Sequence, residues 1–442
     1  MRFHSSRCAL RLICVGALVA LQLAAEIRTL TILHTNDLHS QLSPLANHEG
    51  GFAYLAAAIR HEREGCVDCI LLNAGDLAQG PPVSSLFQGV PVFEIANMLG
   101  FDAATLGNHD LDYGWQQTQK FTEIAKYPIV TSNLVNSQNQ LLTPKPWVIL
   151  KVNGLRVGII GAMTNDLDVL QSPLVMGDFH TIPSVETVRK YAAEIRGQCD
   201  LIVVLAHITP SEEQAFLKEP GIPVIVSGHL HAGLEQAMST PGHVLVRVKY
   251  YGEELGRLEL KVDTEKKSVV SWTWKKIPID SDRIVPASNV AAEVKVWEDK
   301  VSAIVDKPIA MASRTLSNPE VRTLMEDAMK DATGADFAFA NADSVRGTLP
   351  KGQMLLRNAW NVMMFDDRIV VGTFRGRELP AVVTAGHSID PDKVYKLAVL
   401  DFTAANQETD ENLRTKGLQF PDDGGLARDA LIDYMRKRKV VP

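Results

Sequence analysis

Apolar runs of strand length recur along the first half of the chain, and each closes on a residue able to bind a cation. The runs are TLTILHTNDLH, CILLNAGD, FDAATLGNHD, LIVVLAHI and IPVIVSGHLH. Near-continuous Val, Ile and Leu predict strands covered on both faces. Longer, helix-compatible segments usually follow the runs, so this half reads as an α/β domain. Ligands of such domains bind at the carboxyl ends of the strands. Asp37, His39, Asp76, Asn108, His207, His229 and His231 all fall at those ends.

The pattern changes near residue 243. HVLVRVKYY, LGRLELKVD and SVVSWTWKKI predict a meander of antiparallel strands with a turn at DTEKK. Steps of three and four between Val290, Val294, Trp297, Val301 and Ile304 then predict an amphipathic helix connecting two domains. The next helix opens at SNPEVRTLMEDAMKDATG, where Ser317 and Glu320 form a capping box, Pro319 sits in the first turn and Gly334 ends it. Strands are expected at ADFAFAN, RIVVGTF and VYKLAVLDF. The resulting division is a leader over 1–25, a first domain over 26–280, a linker helix over 281–306 and a second domain over 307–442.

At 442 residues the chain is too long for one ordinary core. A formal net charge of −7 argues against a surface for nucleic-acid polymers. The basic run Arg436-Lys437-Arg438-Lys439 suits the end of a helix. The first 25 residues place arginines before an apolar stretch and then small residues, the layout of a cleaved export signal. No membrane span or lipid-anchor tail is read elsewhere. No Asn-x-Ser/Thr sequon occurs, which tilts the expectation toward a bacterial periplasm or exterior. Beyond the leader, with its Cys8 and Cys14, Cys66 and Cys69 can close a small disulfide after export, whereas a zinc half-site there would lack its second pair.

The ligand types suit zinc, manganese, iron or cobalt better than calcium. Asp37 and His39 stand two apart, as do His229 and His231, a spacing that puts both side chains on one side of an extended segment. Seven candidates exceed one tetrahedral ion, but two divalent ions sharing Asp76 would use them all. Two such ions suit phosphate-ester hydrolysis, by an activated water attacking phosphorus. GNHDLDYG then reads as a catalytic loop. Asn108 binds a metal, and His109 faces the substrate to stabilise the phosphoryl charge or protonate the leaving oxygen. Asp112 orients His109, Asp110 has no assigned role beyond the turn, and Gly107 and Gly114 permit a tight backbone.

Together ILHTNDLHSQL, LLNAGDLAQG, TLGNHDLDYG, LAHI and SGHLHAG resemble the five-block signature of the calcineurin-like metallophosphoesterases. HTNDLH and the domain order are similar to the secreted 5′-nucleotidase branch, with its UDP-sugar hydrolases, cyclic-nucleotide phosphodiesterases and apyrases. The resemblance implies a four-layer αββα catalytic domain followed by a smaller α/β nucleotidase-type domain. It implies one metal on Asp37, His39, Asp76 and His231, another on Asp76, Asn108, His207 and His229, and a catalytic pair His109–Asp112. In the second domain it implies substrate contacts from Arg346 and two base-stacking rings, Phe365 and Phe402.

Departures from the family pattern bear on nucleotide recognition. Asp343 and Ser344 replace glycines, Asn406-Gln407-Glu408-Thr409-Asp410 replaces a glycine-rich stretch, and Asp366 and Asp367 add negative charge beside Phe365. The functional expectation is an exported, dinuclear phosphoesterase acting on nucleotides. Its alternatives are a phosphoesterase for cyclic, sugar-nucleotide or non-nucleotide esters, and an inert exported binding protein. Oligomeric state is not legible.

Overall fold

A computed structural model describes residues 26–171, 173–342, 344–405 and 418–441, with the side chains of 173 and 174 excluded. The expected leader, Asp343 and the stretch 406–410 lie outside the described residues.

Two sheets stack face to face. The first runs in the order Ser268–Pro278, Glu254–Asp263, Ile27–Thr35, Cys69–Ala74, Ala103–Thr105, and its last three strands are parallel. The second runs Met238–Thr240, His243–Val246, Val224–Gly228, Leu201–His207, Leu155–Met163, Trp147–Val152, with its four central strands parallel. Leu30, Ile32, Leu72, Ile159, Val203 and Val226 fill the space between the sheets and are fully buried. Helices Ser184–Ile195 and Pro210–Phe216 contribute to a second core with the second sheet, and Phe52–Arg63 and Trp115–Ile124 to a third that includes Leu33 and Leu71 of the first. The architecture is therefore four layers, αββα. Strands buried on both faces explain the near-continuous aliphatic runs, since each fully buried aliphatic side chain contributes about 1.5–3 kcal/mol.

The expected meander is corrected in its first member. Only Glu254–Asp263 and Ser268–Pro278 form an antiparallel hairpin. His243–Val246 joins the other sheet, parallel to Val224–Gly228. The chain then crosses between sheets through Tyr250 and Tyr251, and the Tyr251 N–H donates to the Asp37 carbonyl at 2.7 Å.

Helix Ser288–Val305 buries Val290, Val294 and Val301 in the core shared with Leu55 and Ile59. Ile304, expected inward, is exposed, and Val305 takes the buried place. Beyond it, helices Asn318–Thr333 and Ala427–Arg438 share a second-domain core through Val321, Met325, Leu431 and Met435. This core adjoins a three-stranded sheet built on Pro308–Ala312 and a four-stranded sheet ordered Phe337–Phe339, Val394–Leu400, Arg368–Arg375, Asp422–Leu426. The capping box is present, with Glu320 accepting from the Ser317 N–H and hydroxyl at 2.8 and 2.6 Å, and Gly334 ends the helix in the left-handed region. Arg357 reaches back to the linker helix, donating to Asp306 at 2.7 Å and Ser302 at 2.9 Å.

Cys66 and Cys69 form a disulfide, and Cys199 is a buried free thiol. Among the described residues no helix is long and apolar enough to cross a membrane.

Candidate metal centre and adjoining cavity

Seven side chains from five strand ends meet at one end of the sandwich. Asp37 and His39 follow Ile27–Thr35, Asp76 follows Cys69–Ala74, Asn108 follows Ala103–Thr105, His207 ends Leu201–His207, and His229 and His231 follow Val224–Gly228. The His207 Nε2 lies 3.1 Å from both Asp76 Oδ2 and Asn108 Oδ1. His229 Nδ1 lies 3.0 Å from the same Asn108 oxygen. His39 Nε2 is 3.0 Å from His231 Nε2 and 3.7 Å from Asp76 Oδ2. Asp37 Oδ1 is 3.9 Å from both His39 Nε2 and His207 Nε2. Ligand atoms of Asp37, His39 and His231, and of Asp37, Asp76 and His207, each lie within 4.8 Å of one another.

The convergence does not come from extended alternation. Asp37, His39, Asp76 and His229 have φ of 50°, 43°, 53° and 80°. They occupy left-handed turns beyond the strands, a conformation costing about 1–3 kcal/mol at each non-glycine residue. Tight turns replace pleat geometry in aiming the pairs. Close approach also explains Gly107, because a Cβ there would fall 2.0 Å from Asp76 Oδ1.

The donor set fits divalent cations. Burial keeps the His229 and His231 imidazoles neutral, with pKa lowered to about 3 and about 4, and puts His39 well below its ordinary value. Neutral imidazoles are the metal-binding form. Burial likewise opposes charge on His207, yet Asp76 and Asp37 outweigh it and raise its pKa to about 9. Two buried carboxylates thus create a demand for positive charge. The carbonyl of Ala74 lies 2.8 Å from His207 Nδ1 and sets the tautomer that turns the Nε2 lone pair inward.

His109 stands beside this cluster. Its backbone N–H donates to Asp76 Oδ1 at 2.8 Å, and its Nδ1 lies 2.9 Å from Asp112 Oδ2. Burial disfavours the imidazolium, but Asp112 and then Asp76 outweigh it and raise the pKa. Two residues without an assigned role brace this region. Asp110 accepts from the N–H groups of Gly107, Asp76, Leu77 and Ala78, and Gln171 donates to Asp112. His34, three residues before Asp37, instead accepts from Trp274 Nε1 at 3.0 Å, away from the cluster.

Residues 30–233 match the calcineurin-like phosphoesterase family and residues 301–384 match the 5′-nucleotidase C-terminal domain. The chain carries a calcineurin-like phosphoesterase domain followed by a 5′-nucleotidase C-terminal domain. It is 22% identical to protein UshA of Escherichia coli, an alignment covering 92% of this chain and 91% of that protein. It is 24% identical to endonuclease YhcR of Bacillus subtilis over 92% of this chain, but spans only 39% of that relative's length. A 5′-nucleotidase precursor from Thermus thermophilus has the same fold, with a TM-score of 0.82 at 21% identity over 94% of this chain and 97% of the other.

The phosphoesterase domain and the nucleotidase domain together wall one cavity of about 740 Å³. Asp76, Asn108, His109, His229 and His231 line one side, and Arg346, Phe365 and Phe402 line the other. The Phe365 ring centroid lies 5.6 Å from that of His109, and the Arg346 guanidinium lies 5.4 Å from the Phe365 ring. Burial raises the pKa of Tyr251 in the first domain, and the positive charge of Arg346 opposes that rise. The acidic pair beside Phe365 carries less charge than its sequence implies. Asp366 is ion-paired with the buried Arg428. Burial, then Asp401, pushes Asp367 up to about 7.

Proposed function

We propose that the protein is an exported phosphoesterase that binds two divalent cations and hydrolyses nucleotides. The observation carrying this reading is the single cavity that joins the His/Asp cluster to Arg346, Phe365 and Phe402. Asp37, His39, Asp76 and His231 would hold one cation, and Asp76, Asn108, His207 and His229 the other. Divalent cations there supply Lewis acidity to a phosphoryl group and acidify water. His109 directs Nδ1 at Asp112, which leaves Nε2 to hand a proton to the leaving oxygen. Arg346 offers a fixed positive charge to phosphate. Phe365 and Phe402 offer ring faces to a base, at about 1–3 kcal/mol for each stack. In this reading 26–280 performs the chemistry, 281–306 connects, and 307–442 recognises the nucleoside. The basic-then-apolar start and the Cys66–Cys69 disulfide support an oxidising compartment outside the cytoplasm.

Purified protein loaded with manganese or cobalt should release phosphate from AMP or a related nucleotide and stop on chelation. His109→Ala should abolish turnover and keep its metal content. A cation-loaded protein inert toward a broad phosphoester panel sinks the enzyme reading; one active only on non-nucleotide esters sinks the nucleotide reading.

A further inference from the structure

Gln171 is nine-tenths buried and lies 59 positions from Asp112 in sequence. Its Nε2 donates to Asp112 Oδ1 at 2.6 Å and to the Asn108 carbonyl at 2.8 Å. The other oxygen of Asp112 meets His109 Nδ1. Both partners of the amide nitrogen are acceptors, so the amide has one workable orientation; flipped, its oxygen would face two oxygens. The contacts close a ring from the Asn108 carbonyl through Gln171 and Asp112 to His109, which follows Asn108 in the chain. Gln171 is itself anchored. Its N–H donates to the carbonyl of the fully buried Leu167 at 2.9 Å. Just upstream, Glu212 accepts from the Thr164 hydroxyl at 2.9 Å and the Asn165 N–H at 3.0 Å.

We propose that Gln171 is a positioning residue that locks the Asp112 carboxylate and through it the direction of the His109 ring. A carboxylate held by His109 alone retains rotation about its own side-chain bonds. A second donor on the opposite oxygen removes that freedom, and a neutral amide does so without competing with His109 for the carboxylate charge. The kinetic consequence rests on the phosphoesterase reading above; the structural consequence does not.

Gln171→Leu removes both hydrogen bonds, and the near-isosteric Gln171→Glu sets a carboxylate against Asp112. Each variant should keep its full cation content. On a nucleoside 5′-monophosphate, whose alkoxide leaving group needs a proton, kcat should fall about tenfold or more, a part of the usual general-acid contribution. On 4-nitrophenyl phosphate, whose leaving group needs none, kcat should stay within about twofold. An equal fall on both substrates, or loss of cations, overturns the proposal. A second readout needs no turnover: the downfield NMR signal of the His109 Nδ1 proton, assigned by its absence in His109→Ala. It should exchange with water faster in Gln171→Leu than in the wild type, and unchanged exchange overturns the proposal. If the wild type releases no phosphate while that exchange still depends on Gln171, the phosphoesterase reading falls and the positioning role stands.

Discussion

Replacing Asp110 by Asn isolates what holds the Asp76 turn. Asp110 is 1% exposed, and its two oxygens serve four backbone donors. Oδ1 accepts from Leu77 and Ala78 at 3.1 and 2.9 Å, and Oδ2 from Asp76 and Gly107 at 3.2 and 2.9 Å. The amide keeps one acceptor oxygen and turns an NH2 toward the other two N–H groups. Two buried donors are then orphaned at about 1–3 kcal/mol each, a loss of about 2–6 kcal/mol. These bonds hold Asp76 at a φ of 53°, so the variant relieves its deficit by relaxing that turn and withdrawing the carboxylate from the cluster. Urea unfolding followed by tryptophan fluorescence should show the destabilisation, and metal analysis after dialysis should show fewer bound cations than in the wild type. Stability unchanged within about 0.5 kcal/mol, the range of ordinary surface substitutions, together with full cation content, would refute the reasoning.

Three further outcomes are expected. Chelation should lower the melting temperature, because Asp37 and Asp76 are buried carboxylates that lose their counter-charge, and excess manganese at about 100 times Kd should restore about 2.7 kcal/mol; a melting curve indifferent to both treatments contradicts the cation fit. Phe365→Ala and Phe402→Ala should each raise KM for a nucleotide about tenfold, matching one lost stack, while phosphate release from a substrate without a base keeps its KM; unchanged nucleotide KM values remove the rings from recognition. Arg314, then Ser317, lowers the Glu320 pKa from 4.5 to about 2, so its stabilising contribution is full above pH 4.5 and disappears as pH falls through about 2. The melting difference between wild type and Glu320→Gln should therefore shrink from pH 6 to pH 2, and a constant difference counts against the assignment.

The cluster was legible because aliphatic strands break off abruptly into His, Asp and Asn, a contrast that survives in one dimension. The means of convergence was not. Spacing of two suggested extended backbone at Asp37 and His39, whereas their positive φ values belong to turns stabilised by bonds such as Asp37 N–H to the Gly75 carbonyl and His39 N–H to the Asp76 carbonyl. The aliphatic pattern of His243–Val246 suggests a hairpin with the strands that follow, but its partner is Val224–Gly228, because strand pairing is a long-range choice that a local pattern does not encode. Gln171 left no trace: one amide in an irregular segment has no periodicity, and its meaning lies in a partner far along the chain. Asp110 sat in plain view within GNHDLDYG, yet its four backbone partners come from two separate turns. The rings at 365 and 402 followed from family likeness alone, since neither carries a pattern that separates a cavity wall from a core.

The left-handed turns under Asp37, His39, Asp76 and His229 have a consequence for anyone rebuilding this chemistry elsewhere. Grafting the seven side chains onto another sandwich would transplant the donors without the bends that aim them, and such a graft would splay. The transferable unit is the bent main chain together with its donors, and at the Asp76 turn it includes the buried Asp110 that accepts from four backbone N–H groups.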